Sequence, residues 1–404
     1  MKHRAQAIDA ALQALGRDQQ LRVRRVVQRL AADGDVARPV LDDGPLLNFC
    51  SNDYLGLAGH PHMIEALAAA ARHWGSGAGA AHLVTGHTAE HHALEEELAQ
   101  FTGREAALLF STGYMANIGV ITALTGRDEL LLQDRLNHAS LIDGARQSDA
   151  RLLRYRHADA QDAARLAAEN AQRLSLIATD GVFSMDGDVA PLEALSTVAR
   201  HHEAWLLVDD AHGFGVLGAS GGGSLELAGL RAAEVPLLMG TLGKALGSFG
   251  AFVAGDRQVI ELILQRARSY IYTTALPPAV AAATRTALSL VQSEGWRRQR
   301  LQAAVTSFRA AAASRGIALM PSASPIQPVL VPGAARCLAA SQALRARGFW
   351  VAAIRSPTVP AGTERLRITL TAAHADADIA ALVDALAAVL NEVDATGPRE
   401  AAAR

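Results

Sequence analysis

The stretch LSLIATDGVFSMDGDVAPLEALSTVARHHEAWLLVDDAH, residues 174–212, decides the fold. It contains two short apolar runs, Leu174–Thr179 and Ala204–Asp209, with a helical pattern over Pro191–His202 between them. Runs of this length bounded by polar residues read as buried strands. Both end on acids, Asp180 in one case and Asp209-Asp210 in the other. Working outward, the same alternation continues in both directions. Further strands are expected at Ala106–Phe110, Glu129–Leu132, Arg151–Tyr155, Pro236–Met239 and Ala251–Ala254, with helices at Thr88–Phe101, Tyr114–Leu124 and Asp159–Ala171. Such alternation predicts an α/β fold with a mostly parallel central sheet covered by helices on both faces. In open sheets of this kind ligands bind beyond the carboxyl ends of the strands. The segments Ser111-Thr112-Gly113, Asp180-Gly181, Asp209-Asp210 and Gly240-Thr241 all fall there.

The flanks differ in pattern. An amphipathic helix from about Ala5 to Ala31 is expected first, then a short strand at Leu46–Phe49. Beyond Gln292 come a long helix, Trp296–Arg315, strands at Ile326–Val331, Phe349–Ala353 and Arg365–Thr369, and helices at Ala335–Arg347 and Asp376–Leu390. The expected organisation is an N-terminal helical segment (residues 1–57), a large domain (58–291) and a smaller C-terminal α+β domain (292–404).

Composition narrows the function. Half of the 404 residues are hydrophobic and 19% are charged, enough apolar material for a sizeable core. A formal net charge of −2 supplies no field for nucleic acid or an anionic membrane, and no apolar run is long enough to span a bilayer. Cys50 and Cys337 cannot build a disulfide framework or a zinc site by themselves, so a reducing cytoplasm is the expected compartment.

Only two lysines occur, Lys2 and Lys244, against 36 arginines. A guanidinium stays protonated in proteins, whereas an amine can lose its proton and attack a carbonyl. An isolated internal lysine in an arginine-rich chain therefore points to amine chemistry at Lys244. Two other motifs fail their context tests. Gly213-Phe214-Gly215-Val216-Leu217-Gly218 matches the dinucleotide fingerprint, but it is offset from its strand and leads into Gly221-Gly222-Gly223 instead of a helix. His87-Thr88-Ala89-Glu90-His91 matches a zinc-peptidase pattern, yet runs on as an ordinary amphipathic helix, so no metal site is expected. Gly243-Lys244 is followed by alanine, which excludes a P-loop.

The residues around Lys244 are those that pyridoxal phosphate requires: an amine, an acid for the pyridine nitrogen, phosphate donors and a flat group for the ring face. Asp209 ends a strand, and His212 follows three positions on and can reach the ring hydroxyl. Thr241 precedes Lys244, and Ser111-Thr112-Gly113-Tyr114 opens a helix whose N–H groups can hold phosphate. His138, at a strand-to-helix junction, can stack on a ring.

These segments resemble the α-oxoamine synthases, fold-type I pyridoxal-phosphate enzymes that join an amino acid to an acyl thioester and release CO2. The resemblance covers nearly the whole chain. It is carried by Ser51-Asn52-Asp53-Tyr54-Leu55-Gly56-Leu57, His91-His92-Ala93-Leu94-Glu95-Glu96-Glu97-Leu98, Gly181-Val182-Phe183-Ser184-Met185-Asp186-Gly187-Asp188, Val208-Asp209-Asp210-Ala211-His212-Gly213 and Thr241-Leu242-Gly243-Lys244. It implies that Lys244 holds the cofactor covalently, Asp209 pairs with the pyridinium, His212 contacts the ring hydroxyl and His138 stacks on the ring and meets substrate. It further implies cofactor contacts from Gly113, Tyr114, Ser184 and Thr241, and substrate contacts from Arg355, Thr358 and Arg22, with Arg24 and Arg25 beside it as alternatives to Arg22. The segments Tyr270–Pro278, Ile326–Pro328 and Ala353–Thr363 are most similar to members that condense L-alanine with a pimeloyl thioester, on coenzyme A or a carrier protein. A homodimer with its site at the interface is implied as well. The alternatives are a glycine-using acyltransferase and an aminotransferase on the same fold. One loop departs from the family pattern, Gly77-Ala78-Gly79-Ala80-Ala81-His82-Leu83, where Ala78, Ala81 and His82 replace polar serine and arginine positions.

Overall fold

The computed structural model describes residues 2–30, 37–41 and 44–396. The chain forms two compact units. The larger comprises Asn52–Ser184 and Asp188–Arg300, and the smaller comprises Met1–Ser51, Met185–Gly187 and Leu301–Arg404.

The larger unit is built on seven strands: β1 (Ala106–Phe110), β2 (Leu130–Asp134), β3 (Arg151–Tyr155), β4 (Leu174–Asp180), β5 (Trp205–Asp209), β6 (Leu237–Thr241) and β7 (Ala251–Gly255). They lie in the order β1-β7-β6-β5-β4-β2-β3. β7 runs antiparallel to both neighbours and every other pairing is parallel. Every residue of β2 and β7 is buried, the pattern of a sheet covered on both faces.

Side-chain alternation then fixes the two cores. Leu131, Leu176, Leu207 and Met239 point to one face and pack with Val120, Ile121, Ile260 and Ile263. Leu130, Leu132, Ile177, Leu206, Val208 and Leu238 point to the other and pack with Ala163 and Leu195. The expected strands are all present. β2 and β6 run further than expected, so Asp134 and Thr241 are the last residues of their strands rather than the first of the loops.

The smaller unit carries an antiparallel sheet in which Arg365–Thr369 lies between Ile326–Leu330 and Ala352–Ile354. The expected strand Phe349–Ala353 is split. Phe349–Trp350 pairs instead with Leu47–Asn48, and Ala352–Ile354 joins the three-stranded sheet.

The N-terminal helix differs from expectation. It covers Lys2–Arg17 and stops well before Ala31. Gln19 takes a left-handed backbone (φ 56°), which ends the helix. The following Val23, Val26 and Val27 are β-branched and sit beside the mutually repelling Arg22, Arg24 and Arg25, a poor sequence for further turns. Among the described residues, no helix is long and apolar enough to cross a membrane. Cys50 and Cys337 are free thiols.

Candidate active site

The carboxyl ends of β1, β2, β4, β5 and β6 bring together most of the residues singled out above. Lys244 lies in the tight connection from β6 to β7, held by Leu242 N to Gly250 O (2.9 Å), Ser248 N to Leu242 O (2.9 Å) and Gly247 N to Lys244 O (2.8 Å). Gly247 has φ +61°, and a Cβ there would sit 2.3 Å from Ala58 N, so glycine is required. Thr241 turns its hydroxyl onto Gly250 O at 3.1 Å, bracing the base of this loop.

Lys244 Nζ lies 2.9 Å from His212 Nε2, and His212 Nδ1 lies 2.6 Å from Tyr54 Oη. Donor arithmetic orders this chain. An ammonium can only donate, so Nε2 accepts and Nδ1–H donates to Tyr54. The tyrosine hydrogen then goes to Asn52 Oδ1 at 3.3 Å. Asp53 accepts Leu57 N (2.9 Å) and Ala58 N (3.1 Å), fixing the turn that presents Tyr54. Burial pushes the Asp53 carboxyl up to about 6, against hydrogen bonds from Ala58 and Leu57.

Asp209 closes β5 and is 3% exposed. Its Oδ1 accepts Ala211 N at 3.0 Å, and its Oδ2 accepts Asn117 Nδ2 at 2.7 Å. His138 caps the helix Ala139–Gln147. Its backbone N–H donates to Asp180 Oδ2 at 2.6 Å, and Asp180 N in turn donates to Asn137 Oδ1 at 3.1 Å. Burial lowers the His138 pKa, opposed by Asp209 and reinforced by Lys244. Burial, then the neighbouring Asp209, raises that of Asp180 well above the ordinary aspartate value.

Gly113 and Tyr114 open the helix Gly113–Leu124, capped by Thr112 Oγ1 accepting Met115 N at 3.2 Å. Tyr114 is solvent-facing and its hydroxyl donates to Asp143. Ser184 lies within the turn that Phe183 N to Asp188 O (3.0 Å) and the Val182–Val189 bridge hold in place. Arg22, Arg355 and Thr358 belong to the smaller unit. There the Arg355 guanidinium donates to Gln19 O and to Leu21 O (the latter at 2.9 Å), which anchors it next to the Arg22 segment. Thr358 N closes a turn onto Arg355 O at 3.0 Å.

The two rejected motifs have structural explanations. Gly213 and Gly223 close on the carboxyl of Asp210, which accepts Ser224 N at 2.8 Å, while Gly218 and Gly222 close on Glu226. A Cβ on Gly213 would lie 2.1 Å from Asp210 Oδ1, and one on Gly223 would lie 1.8 Å from Oδ2. Burial raises Asp210 to about 7. His82, His87 and His91 converge, with ring nitrogens within 4.8 Å of one another. His91, however, uses both nitrogens structurally: Nδ1 accepts Thr88 N (3.0 Å) in a capping box, and Nε2 donates to Leu276 O (2.7 Å). A cleft of about 1040 Å³ is lined by Trp74, Glu90, Glu97, Phe101, Arg285 and neighbours, and contains neither Lys244 nor Asp209. Arg285 bridges Glu90 and Glu97 across it at 2.8 Å each. The convergent titratable groups locate the chemistry better than cavity size does.

Sequence reasoning missed Asn117, Ser140 and the positioning role of Tyr54. Asn117 had a visible signal, a lone amide inside the apolar helix GYMANIGVITAL. Ser140 and Tyr54 gave none, because the partners Asn117 and His212 are 23 and 158 positions away.

The donor set fits pyridoxal phosphate: one internal amine, a buried acid held by an amide, an imidazole beside the amine, and a capped helix N-terminus. Comparison with known proteins agrees. Residues 44–386 match the family model for aminotransferase class I and II. A curated 8-amino-7-oxononanoate synthase of Methylococcus capsulatus is 59% identical over 360 residues, covering 89% of this chain and 93% of that one. The enzyme of the same name from Cellvibrio japonicus is 54% identical over 98% of both chains. Among solved structures, a serine palmitoyltransferase from S. paucimobilis with a bound PLP–myriocin adduct superposes with a TM-score of 0.88 at 30% identity, over 96% of this chain and 98% of that one. An 8-amino-7-oxononanoate synthase from Francisella tularensis gives 0.76 at 28% identity, over 86% and 98%. The chain belongs to the 8-amino-7-oxononanoate synthase family, on the fold of the class I and II aminotransferases.

Proposed function

We propose that this chain condenses L-alanine with a pimeloyl thioester, releasing CO2 and the free thiol and forming 8-amino-7-oxononanoate for biotin synthesis. The observation that carries the reading is the single internal amine, Lys244 Nζ, held 2.9 Å from His212 in the same cluster as buried Asp209. Relatives of that name at 54–59% identity support the substrate pair. Pyridoxal phosphate, when bound, supplies a carbonyl for amine attachment and an electron sink for charge left at Cα.

Lys244 is the residue that tethers the cofactor. When not tethered, its Nζ would take the Cα proton and later return one. His212, fixed by Tyr54, holds the amine in place and meets the ring hydroxyl. Asp209 keeps the ring nitrogen protonated, which an oriented buried carboxylate does well. His138 covers the ring face. Gly113, Tyr114, Ser184 and Thr241 serve as cofactor contacts. Arg355 offers a planar fork to a carboxylate, with Thr358 beside it and Arg22 toward the acyl group.

A thioester of coenzyme A or a carrier protein places the reaction in the cytoplasm. The active form is a homodimer. Phe249 and Tyr272, 50% and 70% exposed, are large rings left open on the larger unit, and Thr273 or Thr274 would then reach the partner's site. The test is thiol release from pimeloyl-CoA. It should depend on L-alanine and exceed that from acetyl-CoA with glycine. Formation of pyridoxamine phosphate from an amino acid alone, with no thiol released, would make the protein an aminotransferase.

A further inference from the structure

Behind His138 and Asp209 lies a hydrogen-bond chain that joins them. Asn117 and Ser140 are both fully buried. Asn117 sits in the helix Gly113–Leu124, and Ser140 in the first turn of Ala139–Gln147. The two hydrogens of Asn117 Nδ2 are divided between Asp209 Oδ2 at 2.7 Å and Ser140 Oγ at 2.9 Å. The amide cannot be turned round, because its oxygen would then face a carboxylate oxygen at 2.7 Å, acceptor against acceptor.

Ser140 Oγ has accepted from Asn117, so its own hydrogen is free to donate, and His138 Nδ1 lies 2.7 Å away. Ser140 N–H also points at that nitrogen, at 3.3 Å. A proton on Nδ1 would meet this N–H head on and leave the serine hydrogen without that acceptor. Nδ1 therefore accepts, and the neutral imidazole carries its proton on Nε2.

We infer that Asn117 and Ser140 are positioning residues that hold His138 as the Nε2–H tautomer and lock its ring to the same scaffold as Asp209. The site is thereby presented with an N–H donor at His138 Nε2 and an oriented carboxylate at Asp209, set by one buried bridge. The charged groups facing His138 come from three elements: Asp209 from β5, Lys244 from the β6–β7 connection and Asp143 from its own helix. Burial keeps the ring neutral, so the tautomer, rather than a charge, is what the bridge selects. The inference rests on the proposed roles of His138 and Asp209 in the site, but its geometry stands without the reaction.

The experiment is a long-range 1H–15N correlation spectrum of the full-length protein, deuterated and labelled with 15N-histidine, with and without cofactor. The His138 signal is assigned by its loss in His138→Gln. The parent protein should show a pyrrole-like Nε2 and a pyridine-like Nδ1 at pH 7.5. Ser140→Ala should introduce an Nδ1–H population and lower kcat/KM roughly tenfold, the effect of losing one positioning hydrogen bond of about 1.4 kcal/mol. Ser140→Thr should restore the parent tautomer. An Nδ1–H ring in the parent overturns the inference whether or not Ser140→Ala folds, as does an unchanged tautomer in Ser140→Ala. Failure of the functional proposal looks different: the predicted tautomer with no thiol released from pimeloyl-CoA.

Discussion

His157 should make stability fall with rising pH in a way that one substitution removes. Its imidazole lies between two carboxylates, with Nδ1 3.1 Å from Asp134 Oδ1 and Nε2 2.9 Å from Asp188 Oδ2. Both nitrogens can donate only when the ring is charged. Burial opposes that charge, but hydrogen bonds and attraction from Asp134 and Asp188 outweigh it and carry the pKa from 6.5 up to about 10. At about 1.36 kcal/mol per pKa unit, this rise sets a ceiling of roughly 5 kcal/mol. Asp134 is 1% exposed, but His157 and Asp188 are 25% and 26% exposed, so solvent screening brings the contribution to about 2–3 kcal/mol. The folded pKa is the higher one. The stabilisation is therefore complete below about pH 6.5 and is lost as pH rises through about 10. With unfolding entropy of about 2.1 cal/mol/K per residue, 404 residues give about 0.85 kcal/mol/K, so His157→Gln should lower Tm by about 2–4 °C. Calorimetric scans of parent and variant should show that gap at pH 6 and less than 1 °C above pH 10.5. An equal gap at both ends would mean that His157 acts only by packing on Phe183, 4.4 Å away, and would refute the clamp. Asp188 also accepts Phe183 N, so the clamp braces the turn that carries Ser184.

Three further outcomes are expected. Lys244→Arg keeps the charge but cannot form the covalent link, so borohydride treatment should leave no cofactor mass on the peptide containing residue 244, and kcat should fall by more than about a thousandfold. Tyr54→Phe removes the acceptor for His212 Nδ1–H at a buried position, so it should cost about 1–3 kcal/mol by urea titration and slow turnover about tenfold. Gly223→Ala would drive a methyl to 1.8 Å from Asp210 Oδ2 at φ +88°, so it should cost more than about 3 kcal/mol and reduce the yield of soluble protein, whereas Gly229→Ala, with nothing within 4 Å, should cost only the strain of its φ of +66°.

The sheet was legible because its strands are short apolar runs ending in polar residues, and those ends are where Lys244, Asp209 and His138 are found. Lysine was informative only because arginine supplies the other internal cations. The N-terminal helix was misjudged because Val23, Val26 and Val27 keep a helical spacing that says nothing of the left-handed Gln19. The supporting shell was not legible for a different reason. Asn117 acts on Asp209 from 92 positions away, and Tyr54 on His212 from 158. No local period encodes a contact made by folding one strand end against another. The glycines at 213–223 carried a familiar spacing for an unfamiliar cause, the close approach of Asp210 to Gly213 and Gly223 and of Glu226 to Gly218 and Gly222.

The most direct test of the functional claim is a mass spectrum of the products from pimeloyl-CoA with equal L-alanine, glycine and L-serine. The account predicts one dominant species, the decarboxylated alanine–pimeloyl adduct, absent in Lys244→Arg. A dominant glycine adduct, or pyridoxamine phosphate with no pimeloyl adduct, would contradict it.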